Sequence, residues 1–240
     1  MRYAAKGSIL TFLVFMLVST NAQNHPAEND SLRIRFSASW GSTPLHLNEA
    51  SYSLNDTMNI SFETYRFYVS NIRLLDGEKE VFSKYLFQLV DFSKPPSKEL
   101  NLFLPAHLPY DRIVFNIGID SATSVSGAME GDLDPLNGMY WTWQTGYINI
   151  KLEGRFTTPH LQEEKFEFHI GGYRPPNNAL SAVDLKLPSD KPKKEILMEV
   201  DLQDLLSDRD IAQQHLIMSP SASAVSFANR FAHCFKIMTP

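Results

Sequence analysis

The stretch richest in chemically useful side chains runs from Gly131 to Gly154 and holds two tryptophans two positions apart. Successive side chains of an extended chain point to opposite faces. One face would carry the aromatic and polar set Trp141, Trp143, Thr145, Tyr147 and Asn149, and the other Thr142, Ile148, Ile150 and Leu152. The aliphatic set is enough for a buried strand face, so function is expected on the aromatic face. An indole N–H only donates hydrogen bonds, so packing over the end of a sandwich explains the pair equally well.

Histidine is the residue type best suited to bind a metal here, because neutral imidazole offers a lone pair near neutral pH. The candidates are His46, His107, His160, His169, His215 and His233. His169 is the first choice, because it lies on the polar face of the alternating strand Lys165–Gly171 and directly precedes a Gly-Gly pair. Glycines there allow a close approach of another chain segment. A lone histidine is still more often structural than a ligand.

Carboxylates between residues 120 and 134 offer a second kind of metal site. Asp120, Asp132 and Asp134, with Ser121 and Asn137, form an oxygen-rich set of the kind that calcium accepts. The EF-hand spacing is absent. Aspartates that cap turns through their own side chains are the alternative explanation.

The usual catalytic motifs are absent, so we expect no enzyme. The chain has no G-x-S-x-G, no H-E-x-x-H, no paired-cysteine zinc pattern, no P-loop and no dinucleotide glycine motif. Its net charge is −5, and removal of residues 1–22, with Arg2 and Lys6 but no acid, leaves −7. That charge argues against nucleic acid as a partner.

The first residues are predicted to be a targeting segment. A basic start, an apolar run too short to span a bilayer and the small-residue sequence Thr20-Asn21-Ala22 predict a secretory signal peptide over residues 1–22. Residues 23–31 are predicted to be a flexible mature N-terminus, and residues 32–240 a single domain. We therefore expect a periplasmic or secreted protein with no transmembrane segment after cleavage. The sole cysteine, Cys234, is interpreted as a small buried hydrophobe.

Period-two alternation predicts an all-β fold, an antiparallel β-sandwich of about ten strands with a short C-terminal helix. The longest strand is predicted over Ile60–Leu75, followed by a two-residue hairpin signal at Asp76-Gly77. Asn101–Leu108 is predicted to be irregular because it contains Pro105. The helix is predicted over Pro220–Ala232, with Ser219 as its N-cap.

Six segments form an ordered pattern along the chain. They are FETYRFYVSNIRL (62–74), FQLVDF (87–92), FNIGID (115–120), the stretch 126–154, FEFHIGG (166–172) and IMSPSASAVSFANRFAHCFKI (217–237). Together they resemble the MbnP-like copper-binding proteins, which are associated with methanobactin and copper homeostasis. The match covers nearly all of the mature chain, and the YWTWQTGY and FHIGG runs are its specific parts.

The resemblance implies a secreted or periplasmic β-sandwich that binds copper. It also implies that a tryptophan is oxidised to kynurenine by a di-haem MauG- or peroxidase-like maturation protein. Kynurenine carries an aryl amine with a lone pair, and amine and imidazole nitrogens suit copper. Carried onto this chain, Trp141 is the modified residue, Trp143 its supporting neighbour and His169 the imidazole ligand, with His46 as a second candidate.

One departure from the family pattern leaves two hypotheses open. In the family pattern that the chain resembles, many members carry a histidine where this chain has Gln88, so a ligand is lost if that histidine binds copper. The leading hypothesis is a non-enzymatic copper-binding protein of the cell envelope. The alternative is a structural or ligand-binding envelope sandwich, stabilised by calcium at Asp120, Asp132 and Asp134, in which the tryptophans only pack.

Overall fold

Long runs of alternating apolar and polar residues fold almost entirely into β-strands. The computed structural model describes residues 29–142, 144–158, 161–188 and 194–238. The predicted signal peptide, Trp143 and His160 lie outside the described residues. Residues 29–31, assigned from the sequence to the flexible N-terminus, begin the first strand.

Fourteen strands are present in the described part of the chain. They are β1 (Asn29–Trp40), β2 (Thr43–Pro44), β3 (Ser51–Asn55), β4 (Met58–Asp76), β5 (Lys79–Asp91), β6 (Glu99–Pro105), β7 (Arg112–Ile117), β8 (Tyr140–Thr142), β9 (Gly146–Thr158), β10 (Leu161–Gly171), β11 (Ser181–Lys186), β12 (Glu195–Asp201), β13 (Leu216–Ile217) and β14 (Phe235–Met238).

The helices are short. The α-helices are α1 (Ser121–Val125), α2 (Leu202–Leu206) and α3 (Ala222–His233), and 3-10 turns span Pro95–Lys98, Gly131–Leu133 and Pro135–Asn137. No helix in the described ranges has the length and apolar character to cross a bilayer. The predicted C-terminal helix is confirmed as α3, but its N-cap is Ser221 rather than Ser219, because the Ser221 hydroxyl accepts the Ala224 N–H.

The strands form two sheets. The smaller sheet has five strands in the order β14-β12-β1-β2, with β6 also paired to β1. The larger has nine, in the order β11-β7-β4-β9-β10-β13, with β3 and β5 on β4 and β8 on β9. The 19-residue β4 is the central strand of the larger sheet. It pairs with β9 and β3 through its first half and with β7 and β5 through its second.

The predicted antiparallel arrangement is wrong in two places. β1 pairs with β12 in parallel, and β10 pairs with β13 in parallel, so both sheets are mixed. Alternation reveals which face of a strand is buried but not its direction, which the distant connections decide. The strands missed in the predicted ten include β2, β8 and β13, too short to show alternation, and β6, where Pro105 merely ends the strand.

Two hydrophobic cores lie on opposite faces of the larger sheet. The main core fills the space between the sheets, where Phe36 of β1 meets Phe67 of β4 edge-to-face at 5.7 Å between centroids. A second, small cluster lies on the outer face, under the loop that joins β7 to β8. Its buried members are Tyr68, Leu89, Ile119, Leu133, Met139, Tyr147 and Ile148, with Phe87, Tyr140 and Trp141 packed at its margin. We call it the outer cluster.

Candidate functional site

The aromatic stretch folds into a hairpin, not the single strand that its alternation predicts. Tyr140 pairs with Tyr147 and Thr142 with Gly146, so the chain reverses direction between β8 and β9. The turn is tied by a 2.9 Å hydrogen bond between the hydroxyls of Thr142 and Thr145. Gly146 has φ +76°, a conformation that glycine adopts at least cost. The face predicted to join Trp141 with Tyr147 is therefore split between two strands.

A bulge at Asn149 divides the aliphatic set as well. β10 pairs Ile170 with Ile150 but Gly171 with Ile148, which leaves Asn149 as the extra residue. Its buried amide accepts the Ile119 N–H and donates to the Ala179 carbonyl, both at 3.1 Å. Ile148 consequently packs in the outer cluster while Ile150 stays in the main core, although alternation predicts one face for both.

Trp141 lies directly over Gly171. A Cβ added to Gly171 would clash with the Tyr147 carbonyl and come within 2.8 Å of Trp141 Cζ3. The indole is partly exposed and packs at the margin of the outer cluster. The absent side chain of Gly171 is thus what makes room for the ring.

His169 lies on the same outward face, two residues before Gly171. Its neighbours Phe168 and Ile170 both point into the main core, so His169 and Gly171 point away from it. Two residues of a strand span about 7 Å. The structure therefore places His169 on the face where the Trp141 ring covers Gly171, about 7 Å along the strand, and only 8% of His169 is exposed.

Glu153 fixes the orientation of His169. It lies on the neighbouring strand β9, where its Oε1 is 2.7 Å from His169 Nε2 and 3.4 Å from Lys151 Nζ. The hydrogen bond from His169 lowers the pKa of Glu153 to about 2, with help from the Thr64 hydroxyl and Lys151. An ionised carboxylate only accepts hydrogen bonds, so Nε2 carries the proton. A neutral His169 then presents the lone pair of Nδ1.

Glu153 and Lys151 are the site residues that sequence reasoning missed. Their charges on the face opposite Leu152 are visible in the β9 sequence. Their link to His169 is not, because it depends on the register that sets His169 opposite Lys151.

Basic side chains of the outer face hold the covering loop in place. Lys151 Nζ donates to the Gly138 carbonyl at 3.4 Å, and the Arg66 guanidinium donates to the Asn137 carbonyl at 3.0 Å. Arg66 also pairs with Asp91, whose side chain is nearly buried. The loop that leads into Trp141 is therefore anchored to the same strands that carry Glu153 and the outer cluster.

The structure does not bring the other described histidines to His169. His46 is exposed and lines a separate cavity with Leu47 and Phe92. The His215 ring packs against Phe156, and His233 Nδ1 contacts the Asn229 carbonyl. Within the described ranges no three His, Cys, Asp or Glu side chains form a group that could hold a metal. A metal at His169 would thus need at least one ligand beyond a pair of such described side chains.

Gln88 lies on the other face of its strand from the outer cluster. Phe87 and Leu89 both pack in that cluster, whereas the Gln88 amide donates to the carbonyls of Ser97 and Glu99 at 3.0 and 2.9 Å. A histidine at position 88 of this fold would therefore not share a face with His169.

The three aspartates predicted for calcium each hold a different backbone amide. Asp120 accepts from Thr123 N–H, Asp132 from Leu89 N–H and Asp134 from Leu136 N–H, each at 2.8 Å. Asp120 also receives the Tyr85 hydroxyl. The contacts of Asp120 and Asp134 are turn caps, whereas Asp132 ties its loop to the distant strand β5. Calcium binding stays a prediction.

Comparison with solved structures shows a shared fold. MbnP from Methylosinus trichosporium matches with a TM-score of 0.59 over 82% of this chain and 87% of that chain, at 16% sequence identity. A search of curated proteins gave no match. The MbnP family model matches residues 29–223. The resemblance seen in the sequence is therefore confirmed, and this chain belongs to the MbnP family.

Proposed function

We propose that this protein is a copper-binding protein of the cell envelope. Its two nitrogen ligands are His169 Nδ1 and the aryl amine of a kynurenine formed from Trp141. The observation that carries the proposal is the position of the Trp141 ring over Gly171, on the face that presents His169. Membership of the MbnP family supports it, and the expected secretory signal sets the compartment.

The donor set suits a soft metal. Imidazole and amine nitrogens are good copper ligands, whereas an intact indole N–H is not a ligand at all. A histidine that binds a metal through one ring nitrogen nearly always donates a hydrogen bond from the other. Glu153 accepts that hydrogen bond from His169 Nε2. Copper bound there would be held at the sheet surface, with its remaining positions open to an external ligand or an acceptor protein. That arrangement fits binding and transfer rather than catalysis.

Maturation of Trp141 requires an external oxidant. The indole C2–C3 bond breaks and each carbon gains one oxygen atom, which two equivalents of hydrogen peroxide supply while two waters form. Water then removes the formyl group as formate and leaves the aryl amine. The partial exposure of Trp141 is compatible with oxidation by a partner protein, for which we propose a di-haem MauG- or peroxidase-like enzyme.

Protein purified from its native envelope tests the proposal. We expect bound copper by metal analysis and, by peptide mass spectrometry, a gain of two oxygens and loss of CO at Trp141. His169→Ala should lose copper while keeping the modification. The matched variant His46→Ala should keep both, since His46 lies in a different cavity. Absence of copper together with an unmodified Trp141 would remove the proposal.

The alternative function, a structural or ligand-binding sandwich stabilised by calcium, predicts a different result. Trp141 would remain intact, and its contact with Gly171 would be packing only. A calcium site would raise the melting temperature with added calcium and lower it with chelator. We expect neither change, because Asp120, Asp132 and Asp134 already accept backbone amides.

A further inference from the structure

A cavity of about 370 Å³ lies where the loop after α2, strand β13 and the start of α3 meet. Its polar lining includes Arg209, His215 and the three serines 219, 221 and 223. No aspartate or glutamate of the described chain lines it. This is notable in a protein whose net charge is −5. The serines belong to the segment Ser-Pro-Ser-Ala-Ser, to which the copper proposal gives no role.

Arg209 is the cation of this cavity, and it has no anionic partner among the described residues. Its guanidinium lies against a pair of aromatic rings that contact each other, with Cζ 5.4 Å from the centroid of Phe168 and 5.1 Å from that of Phe227. The other partly buried arginines of the described chain each pair with a carboxylate. These pairs are Arg66–Asp91, Arg112–Asp184, Arg155–Glu63 and Arg230–Asp208.

The Arg209 guanidinium is only partly buried, so it stays accessible from the cavity. A partly desolvated charge without a hydrogen-bond acceptor of its own gains from an external one. Burial lowers the pKa of Arg209, and repulsion from nearby Arg230 lowers it further. Phe168 and Phe227 pack on one side of the guanidinium. Its N–H groups, which have no acceptor among the described residues, are left for an acceptor from outside the chain.

One further feature of the cavity favours an anion. The 12-residue helix α3 begins at the cavity, since its N-cap Ser221 and the following Ser223 both line it. A helix N-terminus adds a modest attraction for negative charge. Arg209 remains the main contributor.

We propose that this cavity binds a phosphate-type oxyanion, either free or as part of a small molecule. Arg209 is its main partner, and the hydroxyls of Ser219 and Ser223 are further donors. The planar guanidinium donates to phosphate oxygens in pairs. Donors from two segments, the loop after α2 and the start of α3, suit a tetrahedral group better than a planar carboxylate. The volume leaves room for an organic moiety beside the phosphate.

Titration calorimetry with the folded wild-type protein tests the proposal, with chloride adjusted to keep ionic strength constant. One arm uses inorganic phosphate and the other glycerol phosphate, which separates the free ion from a phosphomonoester. We expect saturable binding in at least one arm and a matching rise in melting temperature. Acetate should show neither effect.

Variants show whether Arg209 is responsible. Arg209→Met keeps an apolar contact with Phe168 and Phe227, and we expect it to weaken binding by at least about tenfold. Without phosphate it should melt close to wild type, because the loss of two cation–π contacts is offset by the removal of a partly desolvated charge. Arg33→Met removes an exposed charge elsewhere and should bind normally. Ser219→Ala combined with Ser223→Ala leaves the core untouched and should weaken binding by a smaller factor.

Three results would overturn the proposal. One is the absence of saturable binding in both arms. Another is equal binding by wild type and a folded Arg209→Met variant, since phosphate also stabilises proteins by exclusion from their surface. The third is equal binding of acetate. Because none of these measurements uses copper or Trp141, they are independent of the proposed function.

Discussion

At the scale of single residues, the tautomer of His169 decides which nitrogen can bind a metal. Glu153 accepts the Nε2 proton at 2.7 Å, and Lys151 helps to keep that carboxylate ionised. The lone pair is therefore on Nδ1. In the proposed copper site Glu153 has a positioning role, because it would act on the ligand His169 through the far side of the ring.

We predict that Glu153→Ala weakens copper binding by about 10- to 100-fold, the usual cost of losing such a hydrogen bond. Glu153→Gln should keep most of the affinity, because an amide oxygen accepts the same proton. Nitrogen-15 NMR of the metal-free protein provides a separate readout. It should show the Nε2–H tautomer in wild type and a mixture in Glu153→Ala. Wild-type His169 with its proton on Nδ1 would contradict the assignment.

The sequence-based interpretation of Cys234 as a buried hydrophobe is confirmed. Only 2% of the residue is exposed, and its thiol contacts the Arg230 carbonyl at 3.3 Å. Burial raises the pKa of Cys234 to about 11, with nearby Asp204 adding to the effect. The thiolate is the reactive form, so the native thiol should be inert at neutral pH.

We predict that the folded protein reacts with a disulfide reagent far more slowly at pH 8 than the guanidinium-unfolded chain does. The pKa is raised on folding, so the rate should climb about tenfold per pH unit toward pH 11. The same shift makes folding stability fall as pH rises from 9 to 11. Equal rates in native and unfolded protein at pH 8 would show that Cys234 is accessible.

At the scale of elements, the site depends on how three strands meet. β8 pairs with β9 as a hairpin, and the Asn149 bulge turns Ile148 outward. β10 contributes Gly171, against which the Trp141 ring packs. The loop before β8 is held to β4 and β5 through Tyr68 and Leu89, both of which bond to Asp132. Small changes in this layer should therefore move Trp141 without unfolding the main core.

Gly171→Ala is the most direct disturbance of this layer. The new methyl group would clash with the Tyr147 carbonyl and the Trp141 ring, and we expect a loss of about 1–3 kcal/mol in unfolding free energy, as for overpacking. Tryptophan fluorescence should change as the ring is displaced. Urea unfolding followed by fluorescence and by circular dichroism measures both effects.

Gly77→Ala is the matched control for that substitution. Gly77 has φ +59° at an open hairpin tip with nothing within 4 Å of an added Cβ. It should cost about 1–2 kcal/mol from backbone strain alone, with unchanged tryptophan fluorescence. If Gly171→Ala left the fluorescence unchanged too, Trp141 would not lie over Gly171 in solution.

At the scale of the whole molecule, the C-terminal helix and strand complete the main core. Phe231 of α3 is fully buried and meets Tyr65, Phe67 and Phe235 with centroids 5.3–6.3 Å away. β14 then extends the smaller sheet by pairing with β12. The family model ends at residue 223, but the core of this chain continues beyond it.

We predict that Phe231→Ala destabilises the entire sandwich by about 3–5 kcal/mol, because it leaves a cavity where both sheets and the helix meet. The exposed Ser226→Ala on the same helix should change stability by no more than about 0.5 kcal/mol. Equilibrium urea unfolding compares the two. A small effect of Phe231→Ala would mean that α3 is dispensable for folding.

The sequence by itself determined what depends on neighbours along the chain. Alternation of apolar and polar residues located β4, β7, β10 and β12. The Asp76-Gly77 pair marked the hairpin between β4 and β5, and the apolar spacing marked α3. It also singled out His169, because a polar residue between Phe168 and Ile170 must face away from the core. Family membership followed from ordered segments, which require no knowledge of pairing.

Only the tertiary structure decided what depends on pairing between distant segments. The register between strands decides four features of this protein. They are the parallel partners of β1 and β10, the turn after Thr142, the Asn149 bulge and the contact of Glu153 with His169. Register is set by the summed packing of whole sheets, and a shift of one residue reverses every face. No window of sequence contains that sum. The sequence therefore named Trp141 and His169, while the pairing of β8, β9 and β10 decided that the Trp141 ring covers Gly171, two residues after His169.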